Sequence, residues 1–317
     1  MTVFDGHSDL LYDVCQHRLF GETHVLERYH LDNLRKGGVE GLVLALWVSC
    51  TEDSFWHRVP GAETDAQRTE LMLRCMEEEL AECRDIVLVR TVEEAQQVKD
   101  AGKVYAFLGV EGMASIGTNL DGIDRYAELG ARLAMLTWNE ENALATGAGG
   151  DRDKGLTDCG EQALRRMQDR GMLIDVSHLS DGGFRDVLRL AQGPVIASHS
   201  NCRALCDVRR NLDDDQLRAI RDTGGIVGLN VYHNFVHTDP EKQTVAMLAR
   251  HAAHMADVMG IEHLACGFDF CEFMGDPGVS GLDNCSCIPK IFDELKKLGM
   301  TERELRLVAR ENFLRVL

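Results

Sequence analysis

Apolar and polar positions fall into a repeating pattern along the chain: a short, continuous, largely apolar run, then a longer stretch with helical spacing. Eight such runs, bounded by Gly, Asp or Asn, predict strands over Val3–His7, Val39–Val48, Val104–Val110, Ala131–Leu136, Met172–Val176, Val195–Ser198, Ile226–Val231 and His263–Phe268. Most are continuous rather than alternating, as suits strands covered on both faces. Helical patterns lie between them over Ala66–Glu82, Cys159–Arg170, Asp181–Ala191, Asp213–Asp222 and Thr244–Met259, with Leu71, Cys75 and Leu80 forming the apolar stripe of the first. Gly171, Gly260 and Gly299 are the expected helix terminators.

Strand then helix, eight times in 317 residues, predicts an α/β protein built as a (β/α)8 TIM barrel. An open doubly wound sheet would bring a Gly-rich phosphate turn after the first strand, and Asp5-Gly6-His7-Ser8-Asp9 is not one. No Pro-rich or Gly/Ser-rich linker divides the chain, so a single domain over residues 1–317 is expected.

The net charge of -18 excludes nucleic acid as a natural partner, because phosphate binding needs clustered Lys and Arg. Acidic runs such as Glu77-Glu78-Glu79 and Asp213-Asp214-Asp215 read as solvated helix faces. No apolar stretch approaches the roughly 20 residues of a membrane span, and no signal segment opens the chain, so a soluble cytoplasmic protein is expected. Eleven scattered cysteines read as free thiols, and Cys285-Ser286-Cys287 supplies only half of a tetrahedral metal site.

Active sites on a barrel form at the carboxyl ends of the strands, and the ionisable residues gather there. His7 and Asp9 close the first run, Glu111 the third, His178 the fifth, His199 the sixth and Asp269 the eighth. In His7-Ser8-Asp9 the i, i+2 spacing sends both side chains to one side of an extended segment. Each residue alone has a plain structural reading, such as a capped strand end, an ion pair or a satisfied core histidine. Together they are expensive to bury unless paired or metal-bound, and His with carboxylate suits zinc or a similar ion. Three histidines and two acids hold two ions if Glu111 bridges them, with His7 and Asp9 on one ion and His178 and His199 on the other. Such a pair activates a bridging hydroxide and polarises a carbonyl, which points to peptide or amide hydrolysis. Asp269 is left to carry the proton from attacking water to leaving amine, or to orient a histidine.

Six segments, in order, resemble the motifs of the membrane dipeptidase (renal dipeptidase-like) family: Asp5-Gly6-His7-Ser8-Asp9, Gly109-Val110-Glu111-Gly112, Ile174-Asp175-Val176-Ser177-His178, Val195-Ile196-Ala197-Ser198-His199-Ser200, Arg209-Arg210-Asn211-Leu212 and Gly267-Phe268-Asp269-Phe270. The likeness extends to Glu311–Val316 and so spans essentially the whole chain. The resemblance implies a TIM barrel with two zinc ions per chain on His7, Asp9, Glu111, His178 and His199. It implies hydrolysis of dipeptides, often with a carboxy-terminal D-residue, and a homodimer. It also gives Arg210 the task of binding the substrate's free carboxylate, for which a guanidinium fork is suited.

One departure stands out. Leu136-Thr137-Trp138-Asn139 occupies the stretch where animal members read Leu-Thr-His, a histidine that helps bind substrate near the scissile carbonyl. Trp138 donates one hydrogen bond and cannot titrate; Asn139 and Asn142 are candidates to compensate, and Tyr232 is a candidate pocket residue, as is the segment 50–60. Cobalt and manganese suit the same ligands as zinc. Two rival readings remain: a two-metal barrel hydrolase acting on a lactam, cyclic amide or ester, and a metal-binding scaffold without peptidase activity.

Overall fold

The computed structural model of the chain describes residues 1–48, 51, 54–276 and 278–317. Among these residues there are nine strands: β1 (Val3–Ser8), β2 (Val39–Leu46), β3 (Ile86–Leu88), β4 (Val104–Glu111), β5 (Ala131–Met135), β6 (Leu173–Asp175), β7 (Val195–Ile196), β8 (Val227–Leu229) and β9 (Leu264–Cys266). Eight match the expected runs, with shorter spans in the second half of the chain. β3 is the addition, a three-residue strand pairing parallel to β4 from Ile86↔Val104 to Leu88↔Ala106. Three apolar residues are too few to distinguish a strand from a helix flank by pattern.

The chain forms two compact units. One comprises Met1–Ser8, Asp32–Leu42 and Gly193–Leu317, the other Asp9–Leu31 and Val43–Gln192.

In the second unit β4 pairs parallel with β5, and β5 with β6. β4 is buried along its whole length, which is why its sequence runs apolar without alternation. The helices around these strands start at side-chain caps: Thr64, Thr91, Thr157 and Ser180 each accept a hydrogen bond from the first turn. The helix Asp65–Glu82 corrects the expected stripe. Its buried face is Thr69, Met72, Leu73, Cys75, Met76 and Glu79, while Leu71 and Leu80 are half-buried. Glu79 is fully buried rather than solvated because it accepts from Arg18 Nη1 (2.7 Å) and from the Leu26 N–H (2.8 Å).

In the first unit β8 and β9 run parallel, and the bridge Ala197↔Val227 sets β7 beside β8. A Cβ at Gly228 or Gly267 would fall 1.9 or 1.6 Å from the Ser198 carbonyl oxygen, so only glycine lets these strand ends close on the residue before His199. β1 joins through its polar groups: the buried Asp5 carboxylate accepts from the Phe268 N–H (2.8 Å), and His7 O accepts from the Asp269 N–H (3.4 Å). Burial pushes the Asp5 carboxyl up to about 7. The expected helices appear as Asp214–Asp222, closed by an Asp213–Gln216 capping box, and Val245–Met259.

The ten described cysteines are free, as expected, and Cys50 lies outside the described residues. Burial raises the Cys285 thiol well above its ordinary value, which disfavours the thiolate a metal needs. Among the described residues no helix is long and apolar enough to cross a membrane.

Candidate metal centre

In the second unit, the sequence-predicted residues are Asp9, Glu111, Trp138, Asn139 and His178. Glu111 is the last residue of β4, and His178 follows β6 by three residues. Both are buried, and His178 Nε2 stands 2.7 Å from Glu111 Oε1. Asn139 Oδ1 lies 3.0 Å from His178 Nδ1, and an amide oxygen only accepts. Nδ1 therefore carries a proton, and Nε2, the atom that faces Glu111, is the one that offers a lone pair to a metal once the proton it shares with the carboxylate leaves. The main chain is fixed as well: His178 O accepts from the Ala148 N–H (2.8 Å) and from Thr137 Oγ1 (3.4 Å). This combination of imidazole, carboxylate and a side chain that holds Nδ1–H is the donor chemistry of a divalent-metal site.

Trp138 packs beside that pair. Its ring centroid is 6.0 Å from His178 and 5.3 Å from Trp47, and Trp47 in turn lies 5.2 Å from Tyr12. Asn139 is engaged with His178, while Asn142 holds a turn, donating to Leu136 O (2.9 Å) and accepting from the Leu144 N–H (2.8 Å). Asp9 is off the strand: β1 ends at Ser8, and Asp9 occupies the N-cap position of the helix Leu10–Leu19 with φ -86° and ψ 21°. Of segment 50–60, residues 50, 52 and 53 lie outside the described residues. Phe55 and Trp56 are buried with ring centroids 4.4 Å apart, and His57 is exposed.

In the first unit, His7, His199, Asp269, Arg210 and Tyr232 are the predicted residues. The buried His7 and His199 rings stack with centroids 3.8 Å apart at 30°. Two imidazolium rings would repel at that distance, so the stack suits neutral rings, the metal-binding form. Ser198 Oγ lies 2.8 Å from His199 Nδ1 and orients the ring. Asp269 Oδ1 lies 3.9 Å from His7 Nε2. Arg210 is buried, approaches His199 O through Nη2 (3.5 Å) and lies over the Phe235 ring at 5.2 Å. Tyr232 packs on Phe235 with its hydroxyl accepting from Asn234 Nδ2 (3.1 Å).

Sequence reasoning missed Asn230. It is fully buried after β8 and donates to Asp269 Oδ2 at 2.9 Å. Its signal was present, as a polar residue inside the apolar run Gly228-Leu229-Asn230-Val231.

The whole chain, residues 1–317, matches the model of the membrane dipeptidase family, peptidase family M19. The chain belongs to that family. Its solved relatives include a metallo peptidase from Rhodobacter sphaeroides liganded with a phosphinate mimic of the dipeptide L-Ala-D-Ala, 26% identical, with a TM-score of 0.86 over 100% of this chain and 98% of that one. Dipeptidase AC, a metallo peptidase of family M19, is 27% identical, with a TM-score of 0.86 over 100% of this chain and 97% of that one. A probable dipeptidase, PvdM, from Pseudomonas aeruginosa shares the fold at 20% identity and a TM-score of 0.84, covering 100% and 94%. The α/β barrel expected from the strand-helix alternation is thus the fold of this family member.

Proposed function

We propose that this member of the metallo dipeptidase family cleaves the peptide bond of dipeptides with two divalent ions, zinc by preference, held by His7, Asp9, Glu111, His178 and His199. The observation that carries the reading is the Glu111–His178 pair, a buried carboxylate 2.7 Å from the imidazole Nε2 of a ring whose Nδ1–H is held by Asn139. When bound, the two ions would supply an activated water and polarise the scissile carbonyl.

The chain's own residues supply the rest. Glu111, His178 and His199 would hold the ions, with the Nδ1 atoms of the two histidines tied to Asn139 and Ser198 so that their Nε2 atoms are left to ligate. Asp269 takes the proton released by the attacking water and returns it to the leaving amine. Arg210 binds the substrate carboxylate, and its buried setting strengthens a charge-assisted pair. That requirement limits the substrate to two residues, because a third would place an amide where the charge is read. Trp138 gives the substrate an aromatic wall in place of a titratable side chain. The dipeptide mimic bound to the Rhodobacter relative makes L-Xaa-D-Xaa substrates the first to test.

Purified protein assayed on L-L and L-D dipeptides, their carboxy-terminal amides and a β-lactam, before and after chelation, separates this reading from its rivals. Metal-dependent turnover of free dipeptides alone supports it. Turnover of the lactam or the amides with none of the dipeptides, or two bound metals without turnover, refutes it.

A further inference from the structure

Asn230 is fully buried, and each of its polar groups is engaged within the first unit. Its main-chain N–H donates to Asn201 Oδ1 (3.1 Å), and its carbonyl accepts from Asn201 Nδ2 (2.9 Å). The Asn201 side chain thus clasps this residue as a neighbouring strand would. The Asn230 side chain works elsewhere: Oδ1 accepts from the Tyr232 N–H (2.6 Å), and Nδ2 donates to Asp269 Oδ2 (2.9 Å), with a longer approach to His199 O (3.5 Å). The Tyr232 N–H can only donate, so it identifies the amide oxygen and leaves the NH2 group facing the carboxylate.

Asp269 needs such a hold. It is a non-glycine residue at φ +59°, in the left-handed region, where a strained residue persists only when its surroundings fix it. Of its two carboxylate oxygens, Oδ2 takes the Asn230 donor. Oδ1 lies 3.5 Å from Cys271 Sγ and 3.9 Å from His7 Nε2. A thiol is the weaker donor, so the amide sets the carboxylate plane.

We infer that Asn230 is a positioning residue for Asp269, anchoring one carboxylate oxygen so that the other is presented beside His7. The inference rests on the proposed proton-carrying role of Asp269. A merely structural Asn230 would knit the strand ends, but the main-chain clasp with Asn201 already does so and survives loss of the Asn230 side chain.

That separation makes Asn230→Ala the informative variant. With the best dipeptide substrate, kcat is expected to fall on the order of 10- to 100-fold while KM changes by less than about threefold. Bound metal per chain is expected to stay at the wild-type level, and a crystal structure should show the Asp269 carboxylate rotated away from His7. Asn230→Asp keeps the acceptor for the Tyr232 N–H and sets carboxyl against carboxyl, so its kcat should fall at least as far. If Asn230 acts through Asp269, the double variant with Asp269→Asn is no slower than Asp269→Asn alone. The inference is overturned if Asn230→Ala keeps kcat within about threefold while Asp269→Asn loses it, if activity falls only in step with metal content, or if the two losses multiply. Wild-type kcat in Asp269→Asn would instead refute the role given to Asp269, and this inference with it.

Discussion

Replacing Asn139 with alanine removes the acceptor of His178 Nδ1–H, a bond of 3.0 Å, and leaves the main chain of His178 held by the Ala148 N–H and Thr137 Oγ1. Two effects follow. The buried Nδ1–H loses its partner, a cost of about 1–3 kcal/mol. The ring is also released to the other tautomer, in which Nε2 carries the proton and donates to Glu111 Oε1 at 2.7 Å, and that bond must be broken before the nitrogen can bind a metal. Loss of a partner that orients a metal-binding histidine typically lowers metal affinity by about 10- to 100-fold, or about 1.4–2.8 kcal/mol. Competition between the apoprotein and a chromophoric chelator reads this directly, and dipeptide hydrolysis at saturating metal should recover most of the lost activity. Asn139→Asp keeps an acceptor on Nδ1 and should bind at least as tightly as the wild type. Unchanged metal affinity in Asn139→Ala would refute the role assigned to this hydrogen bond.

Arg210→Met should lower kcat/KM for free dipeptides on the order of 10²- to 10³-fold while leaving any residual hydrolysis of dipeptide amides unchanged, read by parallel initial-rate assays. Glu79→Ala removes one of the carboxylates on Arg18, which keeps Glu82 and Glu78, and strips the acceptor from the Leu26 N–H, so it should cost about 1–3 kcal/mol in urea unfolding, against less than about 1 kcal/mol for the exposed Glu78→Ala. Burial lowers the His251 imidazole from 6.5 to about 4, with the nearby His254 and His237 acting in the same direction. Because the folded value is the depressed one, the unfolded chain takes up this proton first. Its contribution is whole above pH 6.5 and is lost as pH falls toward 4, by up to about 3 kcal/mol. Urea midpoints at pH 7 and pH 5 should show that decline, and His251→Gln should flatten it.

What could be read from the sequence follows physical lines. The burial of Glu111, His178 and His199 was legible because each is a costly polar residue ending a continuous apolar run. The parallel strands were legible for the same reason, since burial on both faces erases alternation. Partners that meet only in three dimensions were not. Glu79 reads as part of an acidic surface run until Arg18, 61 residues away, takes its carboxylate. Nothing in the sequence marks Asn139, a candidate substrate residue, as the partner of His178, 39 residues on. Asp9 directly follows the strand and is the N-cap residue of the helix that begins at Leu10, a boundary that the apolar pattern across Leu10 and Leu11 does not mark. Asn230 was visible as a polar break in an apolar run, but its partner Asp269 lies 39 residues further on.

The most direct test titrates zinc into chelated protein while following hydrolysis of a free L-D dipeptide. The account predicts no turnover without metal and activity that rises to a plateau at two equivalents per chain, with His178→Ala and His199→Ala each shifting or abolishing the curve. Full activity in the chelated protein, or a metal-saturated protein that leaves every dipeptide intact, would contradict it.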